Sequence, residues 1–297
     1  MSRGNGGIIG GLVTPAIENA SGVWSLADVQ QESGASAWPI SGIVLTFLVV
    51  AGGGGGNKNA GGGGGSGGLV YDPAYLVAVA GDTVAIVVGS GGAASTDQAQ
   101  AGAIGGDSTV SLNGTTVYTA TGGGGGGPYP AGGVINGGSG GGGGRATGGT
   151  VFGLTTQDTY GGKGFGNDGS PSAGANTAAG GGGGAGGAGV IAVSGFGGDG
   201  GAGKIYDISG SSVAYAPGGP GGGYQVSIGS YNTGDSTSYG AGGAGGIYNG
   251  TLPLAGTSGV VILRTPSTAA STTGSPTVTT DGSYNIYTFT GSGSITF

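Results

Sequence analysis

Histidine and cysteine are missing from the whole chain of 297 residues. Without them there is no Ser-His-Asp or Cys-His catalytic set, no imidazole base, and no imidazole or thiolate ligand for a metal. Disulfides are excluded too, so redox chemistry says nothing of the compartment. Charge is scarce: charged residues make up 6% of the chain, against about 25% in an ordinary globular domain. The six basic residues, Arg3, Lys58, Arg145, Lys163, Lys204 and Arg264, are scattered, and the net charge is -7. No basic stripe exists to neutralise phosphates, so nucleic acid is not expected as a partner. Long hydrophobic runs are also lacking. The longest, Ile43 to Ala51, is interrupted by Thr46 and is too short to cross a bilayer, so no membrane insertion is expected. Met1 to Gly11 carries no apolar stretch behind its single Arg and does not read as a secretory signal.

What the chain has is glycine, 86 residues of it. Nearly pure runs occur at 52–56, 61–65, 122–127, 140–144 and 180–184, with broken ones near 197–203, 218–223 and 242–246. Between them lie short segments rich in Val, Ile, Thr and Tyr. These predict strands at Ile43–Val50, Ala74–Ala80, Thr83–Val88, Ser108–Leu112, Thr115–Thr121, Lys204–Ile208, Ser211–Ala216 and Val260–Arg264. Asn113-Gly114 suits a type I′ hairpin turn, and Gly81-Asp82 suits a type II′ turn. Ser209-Gly210 and Asp281-Gly282 repeat the idea. Residues 112–127 and 208–223 share one pattern, a hairpin leading into a glycine tract.

Three regions follow. Residues 1–42 form an N-terminal attachment segment. Within it, Trp24 to Glu32 reads as a short helix, with Ser25 as N-cap and Asp28 three residues on. Trp24 and Trp38, the only tryptophans, mark it as a packing anchor for attachment or oligomerisation. Residues 43–264 are a glycine-rich domain. Residues 265–297 are a Thr/Ser-rich tail with strands at Thr277–Thr280, Ser283–Thr290 and Ser294–Phe297.

The tracts admit three readings. A flexible linker would favour Ser, Glu and Lys, which are scarce in them. Collagen needs Gly at every third position with abundant Pro, and here Gly fills every position. The third reading is packed polyglycine II helices, with three residues per turn and a rise of about 3.1 Å. Such a helix makes no internal hydrogen bonds, so its backbone groups radiate to neighbours. Close neighbours on every side leave no room for a Cβ. Ordering glycine costs roughly 0.5–1 kcal/mol per residue more than alanine. Only a nearly complete hydrogen-bond lattice offsets that over dozens of residues. The expected fold class is therefore mainly β: short antiparallel strands and hairpins combined with packed polyglycine II helices, plus one short N-terminal helix.

Several motifs now bear on function. Thr46-Phe47-Leu48-Val49-Val50-Ala51 leads into Gly52–Gly56. Gly81 to Gly92, Gly105-Gly106-Asp107-Ser108 and Ala120-Thr121 with its glycine run follow in order, and Gly259 to Arg264 closes the series. This ordered set resembles the glycine-rich domain of tailed-bacteriophage fibres and adhesins. Ser21 to Leu26 with Ala37-Trp38-Pro39 is similar to a segment that precedes it in phage tail proteins. A more distant likeness is to the glycine-rich domain of anaplastic lymphoma kinase receptors, which contains cysteine. The phage resemblance implies a virion structural protein, a tail fibre or adhesin contributing to host attachment. It implies location on the virion, other virion proteins as partners, a homo-oligomer such as a homotrimer, and a host-surface glycan or protein as receptor. A capsid decoration or head-fibre protein with a purely structural role is the alternative.

No enzyme activity and no cofactor are expected. G-x-G-x-x-G matches are frequent at this glycine content, and no βαβ unit surrounds them. Gly203-Lys204 is followed by Ile205, so there is no phosphate loop. The Asp residues are dispersed, which argues against a polysaccharide depolymerase and against a calcium site. Loops joining rigid tracts project from the ends of the stack. Tyr129, Tyr160, Phe165, Tyr224, Tyr231 and Tyr239 fall in or beside such loops and are the candidate receptor contacts. The competing role for these rings is packing, as caps on the lattice or covers on strand faces.

Overall fold

The computed structural model describes residues 42–130, 135–145, 151–173, 178–193, 195–224, 227–232 and 234–297. The helix expected near Ser25, with Trp24 and Trp38, lies outside the described residues. The rest is β, and no helix occurs among the described residues.

The strands are β1 (Ile43–Val50), β2 (Leu69–Ala78), β3 (Thr83–Val87), β4 (Ser108–Leu112), β5 (Thr115–Ala120), β6 (Gly164–Phe165) and β7 (Lys204–Tyr206). They continue with β8 (Val213–Tyr215), β9 (Val260–Thr265), β10 (Ser271–Thr273), β11 (Thr277–Asp281), β12 (Tyr284–Phe289) and β13 (Gly293–Thr296). All named pairings are antiparallel. One sheet has the order β11-β12-β9-β1-β2-β6, a second has β10-β13-β3-β4-β5, and β7-β8 form a separate hairpin. Segment 265–297 is thus built into both large sheets, through β12 on β9 and β13 on β3.

Alternation along β1 explains the layering. Leu45, Phe47 and Val49 pack with Val84, Ile86, Val110, Tyr118 and Ile295 between the two large sheets. Leu48 and Val50 point the other way, with Leu69, Val260, Ile262 and Ile286, under Ile208 and Tyr215 of the hairpin. Covered on both faces, β1 and β9 read as continuous apolar runs.

Two local expectations need correcting. Strand β2 starts at Leu69, ahead of the expected Ala74, because the chain tolerates Pro73 at a bulge. There the register jumps from Leu45↔Leu76 to Phe47↔Asp72, and the Thr46 hydroxyl donates to the Pro73 carbonyl at 2.6 Å. Gly81-Asp82 is not a hairpin turn, since β2 and β3 belong to different sheets. Asp82 N–H donates to Val79 O, and Gly81 has φ +96° at the third position. That geometry is a type II turn, and it serves as a corner between sheets. Asn113 (φ 48°) and Gly114 (φ 83°) do form the type I′ turn between β4 and β5.

The glycine tracts grow out of the strands. Strand β1 runs into 52–57, 61–68 returns into β2, β5 runs into 122–127, and β8 leads to 218–223. Within 51–57 the hydrogen-bond partner changes with every residue and repeats every third. N–H groups of residues 51, 54 and 57 donate to residues 68, 65 and 62. Those of 52 and 55 donate to 106 and 103, and those of 53 and 56 to 257 and 254. The carbonyls of 52 and 55 accept from 123 and 126, those of 53 and 56 from 92 and 95, and those of 54 and 57 from 243 and 246. This tract therefore touches six flanking segments. Residues 61–68 are enclosed in the same way, by 51–57, 121–127, 139–142, 180–183, 219–222 and 240–243. A Cβ at Gly54 would stand 2.2 Å from the Gly124 carbonyl oxygen, and one at Gly64 2.1 Å from that of Gly54. Real Cβ contacts essentially never fall under 3.0 Å, so these positions accept only glycine.

Candidate functional site

Hydrogen-bond order fixes the direction of each tract. Residues 123–126 and 243–246 run parallel to 52–57. Residues 139–142 and 219–222 run antiparallel to 61–66, and so in that same direction. All these tracts consequently end together, at the end of the lattice away from the strands. The first aromatic or basic residues past their ends are Lys58, Tyr129, Arg145, Tyr224 and Tyr248.

Four of those residues meet. Arg145 is buried, 5% exposed. Its guanidinium carbon lies 4.3 Å from the ring centre of Tyr129, 4.9 Å from that of Tyr224 and 4.5 Å from that of Tyr248. The Tyr224 and Tyr248 rings are 4.9 Å apart and tilted by 36°. Arg145 Nε has no hydrogen-bond partner among the described residues. The negative faces of three rings therefore carry much of the compensation for its charge. Backbone bonds hold the knot in place. Arg145 N–H donates to Ala60 O (3.1 Å), Ala60 N–H to Gly246 O (2.7 Å), and Tyr248 N–H to Gly223 O (3.1 Å). Tyr129 N–H donates to Gln98 O at 2.7 Å.

Neighbouring residues add apolar surface. Tyr224 N–H donates to the Gly195 carbonyl at 2.8 Å, which sets Gly195 and Phe196 beside the tyrosines. Val193 and Phe196 exchange backbone hydrogen bonds and are 67% and 49% exposed. The tip thus presents half-buried tyrosines and exposed apolar groups on a backbone fixed by the lattice. Such a surface suits contact with a protein or glycan.

Of the residues expected from sequence, Tyr129 and Tyr224 come together here. The others lie elsewhere. Tyr160 sits at the strand end of the molecule. Its ring packs edge-on to Tyr118 at 5.5 Å, and its oxygen accepts from Thr119 N–H at 3.0 Å. Phe165 is in β6 against the second apolar cluster, with the Lys204 ammonium 3.8 Å from its ring centre. The Tyr231 hydroxyl donates to the Gly242 carbonyl at 2.9 Å, and burial pushes its pKa up to about 12, with Asp235 adding to the effect. Tyr239 is exposed on the flank, and its carbonyl accepts from Ala216 N–H. Trp24 and Trp38 fall outside the described residues. Sequence reasoning missed Arg145 and Tyr248. Both stand close behind a glycine tract, so the first aromatic or basic residue after each tract was the signal.

Among the described residues there is no group of three acidic side chains placed to hold a metal ion. No curated protein and no solved structure matches the chain. The glycine-rich domain family matches residues 29–266, a span covering both the lattice and most of the strands it grows from, and the chain belongs to that family.

Proposed function

We propose that this protein is a bacteriophage virion component, a tail fibre or adhesin, that presents the lattice tip to the host surface. In this reading the tracts are packed polyglycine II helices. The three-residue repeat of hydrogen-bond partners along 51–57 supports that assignment. Residues 1–42, with Trp24 and Trp38, attach the protein to other virion proteins or assemble a homotrimer. The observation that carries the reading is the convergence of tract ends on Tyr129, Arg145, Tyr224 and Tyr248. A rigid stack holds these side chains at the end opposite the sheets, where little ordering entropy remains to be lost on binding.

Fluorescently labelled protein applied to a panel of bacterial strains tests this. Binding to particular strains is expected, reduced at least tenfold by Tyr129→Ala combined with Phe196→Ser. Gold labelling of purified particles is expected at the tail. Label on the head, or binding indifferent to the tip substitutions, would refute the adhesin reading.

A further inference from the structure

A second site lies at the other end of the molecule, on the outer face of the six-stranded sheet. Thr46 of β1, Tyr71 of β2, Arg264 of β9 and Tyr284 of β12 share that face. Asp207 and Ile208, from the loop joining β7 to β8, close over them. Together they line a cleft of about 160 Å³. The β-bulge at Pro73 shapes one wall, because it fixes the Thr46 side chain against the backbone.

The chemistry of the lining is specific. Tyr71 stacks on Tyr206 with ring centres 4.3 Å apart and planes 28° apart, so its ring is held rigid. Burial, and next the Asp207 carboxylate, push the Tyr71 pKa above its ordinary value, so the phenol remains a donor. Arg264 is anchored by Asp281 at 2.9 Å and by the Tyr284 ring, 4.5 Å from its guanidinium carbon. Tyr284 is 41% exposed. Asp207 is exposed.

These features narrow the ligand. The one cation, Arg264, is already neutralised by Asp281, and Asp207 adds a further negative charge, so an anionic ligand is disfavoured. A volume of 160 Å³ is well under the ~300–1,000 Å³ of clefts that hold drug-sized molecules, which leaves room for one ring. A carboxylate accepts from two neighbouring hydroxyls, a phenol and a guanidinium donate, and exposed aromatic carbon covers C–H groups. We infer that this cleft binds a single uncharged sugar ring with adjacent hydroxyls. Asp207 accepts from two of them, Tyr71 and Arg264 donate to ring or linkage oxygens, and Tyr284 packs on the apolar face. The inference does not depend on the role of the lattice tip.

Saturation-transfer NMR on the full chain tests it. The probes are methyl α-mannoside, methyl β-galactoside, methyl β-glucoside and methyl β-glucuronide at ~10 mM, tenfold above a ~1 mM dissociation constant. At least one neutral glycoside is expected to receive saturation, with the glucuronide weaker. Asp207→Ala lowers affinity at least tenfold, whereas Tyr129→Ala leaves it unchanged. Asp207 is exposed, so the variant folds, and an unchanged melting temperature verifies that. No transfer to any neutral glycoside, a stronger signal from the glucuronide, or undiminished binding by Asp207→Ala overturns the inference. Loss with Tyr129→Ala instead would place sugar binding at the tip and equally overturn it.

Discussion

Gly54→Ala asks whether the tracts are glycine because neighbouring backbones occupy the space of a side chain. The new methyl carbon would lie 2.2 Å from the Gly124 oxygen and 2.5 Å from its carbonyl carbon. The 122–127 tract must retreat by roughly 1.2 Å, the gap between 2.2 Å and the 3.4 Å of ordinary contact. That movement stretches the bonds from Gly65 N–H to Gly124 O (2.7 Å) and from Gly124 N–H to Ser139 O (2.9 Å). All three residues are buried, so the released groups find no water. Two such losses cost about 1–3 kcal/mol each. The smaller conformational freedom of alanine in the unfolded chain returns only about 0.4–1 kcal/mol. The expected net destabilisation is about 1–6 kcal/mol. Gly291→Ala is the control, since a Cβ there meets nothing within 4 Å and the backbone has an ordinary φ. It should change stability by no more than about 0.5 kcal/mol. Urea denaturation compares the two, and amide exchange at 52–57 should be slow in the parent and accelerate in Gly54→Ala. Equal midpoints for both variants, or exchange of these amides within seconds in the parent, would refute the reasoning.

Two further predictions concern side chains. Arg145→Ala should destabilise the tip by about 2–3 kcal/mol, because three ring contacts are lost together. Arg145→Lys should recover less than half of that, since an ammonium cannot stack as a planar guanidinium does; melting temperature and proteolysis at 224–252 measure both, and full recovery by Lys would contradict the stacking. Burial raises the pKa of Tyr206 and Tyr231 to about 12, from an ordinary 10.0. Because the folded values are the higher ones, their contribution to stability is complete below pH 10 and is lost as pH climbs towards 12. The urea midpoint should fall across that window, and tyrosinate absorbance should show a late-ionising fraction. A single ionisation step near pH 10 in the folded protein would contradict it.

Local signals carried far along this chain. Both ends of β1 and β4 were legible, because β-branched runs and the Asn113-Gly114 turn act over a few residues. The strand at Leu69–Asp72 was hidden, because glycine precedes it and Pro73 interrupts it at a bulge that exists only against Thr46. One of the two partners of β3 was also hidden. Besides β4, the strand pairs with β13, about 210 residues later, and no local pattern encodes that distance. At the tip, Tyr129 and Tyr224 were singled out, yet Arg145 was not. Its buried position follows from three tracts ending side by side.

The amino-acid sequence alone determined that this chain is β-rich, glycine-ordered and empty of histidine and thiol chemistry, since composition and short-range backbone preferences decide those properties. Only the tertiary structure decided which tracts touch, which end they share, and which side chains that end and the sheet face bring together. A glycine has no side chain with which to name its neighbour. The register of the lattice is set instead by where the flanking strands and their cores place each tract.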